Sequence, residues 1–320
     1  MDAHFTMTVS SEQHNSNLLA CLLPCIPYLN EDQWQVLLSD GLIKVDGLVE
    51  TKDCILKQGQ TIDYTIPNYQ EDEVDTHWNT LWQNNDIAAI HKPANLPVSR
   101  TTRNVYNTLI QLLRRESQWP DAHLLHRLDL ETSGVLLIAK DNQQARIYQP
   151  KLAELMQRKK YHAIIHGEPS WQTLNHQSYL NTKKDSLIRC QMHEVNQGEG
   201  KLSETHFKVI ASNSGFSWVE CELLTGRKHQ IRAHLSQLGH PIVGDKIYSN
   251  NGEFYLKRLD DALIQADYQT LLTDHHLLHA YEVELADMWS EEKNTKACSI
   301  VIRDEQYTDV WKAFTKKIGL

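Results

Sequence analysis

Apolar residues along this 320-residue chain recur with two different periods, and the switches between them mark its elements. Residues 18–38, LLACLLPCIPYLNEDQWQVLL, predict a short apolar helix broken near Pro24 and Pro27, then a second helix after Asn30. Asn30 is a fair N-cap, and Glu31 and Asp32 suit the positive end of a helix. From residue 41 the pattern changes. Residues 42–45 and 48–49 predict strands joined by an Asp46-Gly47 hairpin turn, and residues 61–66 a third strand after the Gln58-Gly59 turn. Residues 67–80 are polar, acidic and contain Pro67, which predicts a linker.

Beyond it, an alternating strand is predicted over 87–91, stopped by Pro93, and a helix over 105–116. The segment HRLDLETSG (126–134) leads into an apolar run, 135–139. Residues 144–159 have helical periodicity interrupted at Pro150, and 159–167 alternate like a strand. Strands are predicted over 201–212, 216–226 and 275–285, a helix over 227–239 ending at Gly239, and a closing helix over 310–317. Strands and helices mix without the regular alternation of a doubly wound sheet, so the fold class is α+β.

Composition bounds the rest. Length suggests two domains, divided as 1–80 and 81–320. No apolar run approaches the roughly 18–20 residues that span a bilayer, and the acidic first 17 residues resemble no targeting peptide. Six scattered cysteines read as free thiols in a reducing cytoplasm. The net charge of −9 would discourage a nucleic-acid partner, but its distribution does not. Residues 1–80 hold 13 Asp/Glu against 3 Lys/Arg, whereas residues 100–165 hold 11 Lys/Arg against 6 Asp/Glu. A phosphate-tracking surface is therefore permitted in the body. The seventeen histidines form no His-Glu-x-x-His pattern, and GEGKLS (198–203) lacks the spacing of a phosphate loop. No metal or cofactor is expected.

Three segments carry candidate chemistry. HRLDLETSG alone reads as a turn whose Asp bonds nearby amides. KKYHAIIHG (159–167) alone reads as a strand with a half-buried Tyr161. LLTGRKHQIRAHLSQLGHPIVGDKIY (223–248) alone reads as a helix with Arg227, Lys228 and Arg232 on a solvated face. Together and in this order they resemble the three motifs of the RluA-type pseudouridine synthases. HKPANLPV (91–98) resembles that family's segment leading into the fold, and the likeness runs over roughly residues 85–285. Residues 40–64 are similar to the strand half of the small alpha-L RNA-binding module that often precedes this domain. There the usual basic helix is replaced by one with Glu31, Asp32 and Asp40; in the body, Asn95 stands where the family usually has Gly, and Lys228 where Thr is frequent.

The resemblance implies one mixed, mostly antiparallel sheet with helices and loops around a central cleft. It implies conversion of uridine in RNA, ribosomal or transfer, to pseudouridine, with no cofactor or metal. Asp129 is the implied catalytic carboxylate, and Arg227 the cation that holds it. Tyr161 is implied to stack on the flipped base and to serve in proton transfer, and Leu278 to pack under that base. Arg127 is implied to fill the gap the base leaves. Lys92, Lys160, Lys228 and Arg232 are candidate RNA-backbone contacts. A non-catalytic RNA-binding factor of the same fold is the alternative. A monomer in the cytoplasm, without a membrane partner, is expected.

Overall fold

The computed structural model describes residues 2–25, 29–101, 103–286, 288 and 299–320. The predicted break at Pro27 lies outside these residues. The chain divides into two compact units, Met1–Val74 with Ser99–Gln111, and Asp75–Val98 with Leu112–Leu320.

The first unit carries β1 (Ala3–Thr8), α1 (Leu18–Leu22), α2 (Glu31–Ser39), β2 (Ile43–Val45), β3 (Leu48–Glu50) and β4 (Thr61–Ile66). They form a four-stranded sheet in the order β1-β4-β2-β3, every pair antiparallel. Asn30 caps α2 reciprocally with Gln33, at 3.0 and 2.9 Å. Asp46 and Gly47 both have positive φ, 50° and 79°, as a type I′ hairpin turn requires. β1 was not anticipated, although Ala3, Phe5 and Met7 alternate with polar residues. Residues 67–80 are not simply a linker. Tyr69 is buried, and the Glu71 carboxylate accepts the backbone N–H groups of Val105, Tyr106 and Asn107. Those amides are taken before a helix can use them, so α3 (Leu109–Glu116) begins later than residue 105.

The second unit continues with β5 (Asn79–Gln83), β6 (Ile87–Lys92), β7 (His123–Leu124), β8 (Ser133–Ala139), α4 (Asn142–Tyr148) and α5 (Leu152–Leu155). Next come β9 (Met156–His166), β10 (Thr173–Asn181), β11 (His193–Val195), β12 (Lys201–Asn213), β13 (Phe216–Leu223) and α6 (Gln230–Gln237). It closes with α7 (Glu253–Leu259), α8 (Gln265–Leu271), β14 (Leu278–Ala286), β15 (Ser299–Arg303) and α9 (Asp309–Ile318). The sheet runs β11-β10-β12-β13-β9-β14-β8-β6-β5, with β15 beside β14 and β7 beside β8. It is mixed and mostly antiparallel, as expected. Among the described residues the parallel pair is β8 with β14.

That pair positions the site. β6 and β8 lie inside the sheet and are buried at every position, so β6 does not alternate as its sequence suggested. At the start of β8, Ser133 faces His279 and Gly134 faces Ala280. A Cβ on Gly134 would lie 2.2 Å from the Ala280 carbonyl oxygen, and its φ is +111°. Only glycine fits. Asn95 also has positive φ, 55°, a region that Asn tolerates better than most residues other than glycine.

Candidate active site

Residues 126–134 are tied down position by position. His126 Nε2 accepts the Leu137 N–H at 3.0 Å, and Leu128 is buried. The Leu130 carbonyl accepts from Lys92 Nζ at 3.0 Å. Glu131 accepts from Lys246 Nζ at 2.8 Å and from the His276 N–H at 3.0 Å. Thr132 meets His276 Nε2 at 2.8 Å, and Ser133 meets His279 Nδ1 at 2.8 Å. Between these anchors stands Asp129, with 26% of its side chain exposed.

Arg232 is the cation at Asp129. Its Nη1 donates to Asp129 Oδ2 at 2.7 Å, while its Nε and Nη2 donate to Asp245 at 2.6 and 2.9 Å. Asp245 also accepts the N–H groups of Ile247 and Tyr248. One guanidinium thus uses its fork on Asp245 and its remaining edge on Asp129. Burial pushes the Asp129 carboxyl up, and the fields of His229 and Arg232 bring it down to about 2. His229 is itself neutral above about pH 4, because burial lowers it. At neutral pH, therefore, Arg232 keeps Asp129 ionised. Glu131 follows the same logic: burial raises it, and Lys246 and His276 lower it to about 2.

Arg227 does not hold the carboxylate. α6 begins at Gln230, not 227, after His229 in the left-handed conformation. Gln230 pins the preceding turn by accepting from Arg227 N and Thr225 Oγ1 and donating to Glu204 O. Arg227 is left exposed on that turn, its Nε donating to the Leu202 carbonyl at 3.0 Å. Arg232, two residues into the helix, reaches Asp129 instead. It is 5% exposed and bound to two carboxylates, so the expected contact with an RNA phosphate does not fit.

Two further expectations change. Lys92 is 0% exposed, donating to the carbonyls of Pro93, Leu96 and Leu130 at 2.7, 2.9 and 3.0 Å. Burial lowers its pKa to about 7 against the pull of Asp129, Asp75 and Glu131. It ties the segment before Leu96 to the loop beside Asp129, and cannot reach a phosphate. Lys160 is paired with Glu220 at 3.1 Å. Adjacent residues of a strand point to opposite faces, so it lies on the face away from Tyr161.

Tyr161 and Leu278 come together. Leu278 is buried in a cluster with Ile231 and Leu235, and Tyr161 packs partly buried against it. Burial and the charge of Asp129 raise the Tyr161 hydroxyl above its ordinary range, so it is protonated. Arg127 and Lys228 are exposed. Asp245, Lys246, Glu131, His229 and Tyr248 were not singled out from sequence. The signal available was GDKIY, which sets an Asp-Lys pair and a Tyr at the end of the third motif. The arrangement provides an ionised, oriented carboxylate with an apolar ring and a buried leucine nearby. Among the described residues no group of three or more His, Cys, Asp or Glu could hold a metal ion.

A family profile for RNA pseudouridylate synthases matches residues 86–237. An uncharacterised RNA pseudouridine synthase of Synechocystis is 31% identical over 229 residues, 70% of this chain and 77% of that protein. The ribosomal large subunit pseudouridine synthase D of Zymomonas mobilis is 27% identical over 289 residues, covering 86% and 87%. In fold, the chain is similar to the human RNA pseudouridylate synthase domain containing 4, with a TM-score of 0.55 and 24% identity over 75% of this chain and 92% of that one.

Proposed function

The chain belongs to the RluA-type RNA pseudouridine synthases, isomerases that act on RNA, and on that premise we propose that Asp129 performs the isomerisation of specific uridines in structured RNA. The observation that carries this reading is the Arg232–Asp129 contact at 2.7 Å, which keeps the carboxylate charged in a largely buried setting. The reaction breaks the N-glycosidic bond, turns the uracil and reattaches it through carbon 5. A target base leaves its stack first, at a cost of about a few kcal/mol that pocket contacts offset. Tyr161 stacks on the base and takes part in proton movement at carbon 5, and Leu278 packs beneath it. Exposed Arg127 fills the vacated position in the stack, and exposed Lys228 and Arg227 track phosphates. Loops and distorted stems, where bases are already loosened, are the favoured targets.

The substrate is ribosomal or transfer RNA, and the name of the Zymomonas relative favours the ribosomal one. The protein works as a monomer in the cytoplasm. The first unit, similar to the alpha-L module but with an acidic helix, serves packing more than RNA contact. The test uses RNA tritiated at carbon 5 of uridine. Wild-type protein releases tritium; Asp129→Ala binds the RNA and releases none. Undiminished release by Asp129→Ala overturns the reading.

A further inference from the structure

Arg232 occupies one oxygen of Asp129, Oδ2, and leaves Oδ1 to a different neighbour. His229 Nε2 lies 3.7 Å from Oδ1, just outside hydrogen-bonding range. His229 sits immediately before α6 with φ 53° and ψ 20°, a conformation that a bulky residue adopts only where its surroundings fix it.

Tyr248 supplies that fixation. Its hydroxyl oxygen accepts the Met192 N–H at 2.8 Å and lies 3.1 Å from His229 Nδ1. The tyrosine is buried and keeps its proton, because burial raises its pKa. His229 Nδ1 is the acceptor in reach of that proton. The opposite tautomer would leave a buried hydroxyl proton without an acceptor among the described residues. His229 therefore accepts at Nδ1 and carries its hydrogen on Nε2, the atom nearest Asp129. The Tyr248 ring also lies 5.1 Å from the Arg232 guanidinium, so one residue touches both neighbours of the carboxylate.

We propose that His229, held by Tyr248 as the neutral Nε2–H tautomer, is a positioning residue that donates to Asp129 Oδ1. This rests on the reading of Asp129 as the catalytic carboxylate. The terminal torsion of an Asp is broad, and one donor on each oxygen removes that freedom. A neutral donor orients the carboxylate without adding a second compensating charge. The 3.7 Å gap closes when RNA fills the site, as such contacts commonly tighten in the substrate complex.

Four variants of the full chain and ¹⁵N NMR spectra test the proposal. His229→Asn keeps the left-handed backbone and a polar group near the Nδ1 position, but has nothing at the Nε2 position. His229→Gln returns an amide nitrogen there. Tyr248→Phe removes the tautomer's anchor. In tritium release, His229→Asn lowers kcat by about tenfold to a hundredfold, the range of one lost hydrogen bond to a charged group, with little change in KM. His229→Gln recovers most of that loss. ¹⁵N NMR of the unaltered protein places the His229 hydrogen on Nε2, and Tyr248→Phe shifts the signals toward a tautomer mixture. Wild-type kcat in His229→Asn, or an Nδ1–H tautomer in the unaltered protein, overturns the proposal. The spectrum does not depend on any variant folding. If Asp129→Asn retains full activity, the catalytic reading itself fails. If Asp129→Asn is inactive while His229→Asn is fully active, only the positioning role fails.

Discussion

The first 74 residues and the surroundings of Asp129 treat charge in opposite ways. Among the described residues 2–74, every buried side chain is apolar or aromatic, although this stretch holds most of the chain's excess acid. Its carboxylates stay near water. Around Asp129 the chain buries Lys92, Arg232, Asp245 and Lys246, each at 5% exposure or less. Burying ions costs several kcal/mol per ion unless they are paired and hydrogen-bonded. The contrast teaches that the same chain keeps its acid on the surface over an apolar core in one region and holds buried charges by ion pairs and carbonyl hydrogen bonds in the other.

The largest expected effect is collective and lies in acid. Burial lowers His126, His229 and His276 to about 4, below the ordinary 6.5 that they regain on unfolding. Between these values the unfolded chain binds more protons, so stability falls as pH drops from about 6.5 to 4. Asp129 and Glu131, each lowered to about 2, extend the loss as pH drops further through their folded values. Urea midpoints measured from pH 7 to 3 check this, and a flat profile between 7 and 4 contradicts it. Next in size, Arg232→Met strands Asp129 and Asp245 together and destabilises by about 3–5 kcal/mol, the cost of breaking a buried pair. Denaturant unfolding reads it. Gly134→Ala forces a methyl onto the Ala280 backbone and costs about 1–3 kcal/mol or more. In the first unit, Asn30→Ala removes the α2 cap for about 1 kcal/mol, and Glu31→Ala costs less. If that surface charge proved worth as much as Arg232, the contrast would collapse.

Much of the fold was legible because the signals were local. Asn30, the Asp46-Gly47 turn and the apolar run 135–139 declare their elements through caps, φ preference and continuous burial. β15 and α7 are not legible in the sequence pattern; β15 draws its place from pairing with β14, which no local pattern announces. Asp129 could be singled out because motif order places it. Its partner could not. Arg227 and Arg232 lie five residues apart in one basic segment, and choosing between them requires the helix start. The left-handed His229 and the Gln230 tie move that start past Arg227. Lys92 departs from its sequence expectation for a related reason: a lysine looks solvent-seeking until three carbonyls from two segments converge on it.

Which arginine serves Asp129 is decided by setting Arg232→Lys beside Arg227→Lys in the tritium-release assay. Lysine keeps the charge but cannot span two carboxylates, so Arg232→Lys should lose about a hundredfold or more in rate, and Arg227→Lys less than about threefold. The reverse order would give the carboxylate to Arg227 and not to Arg232.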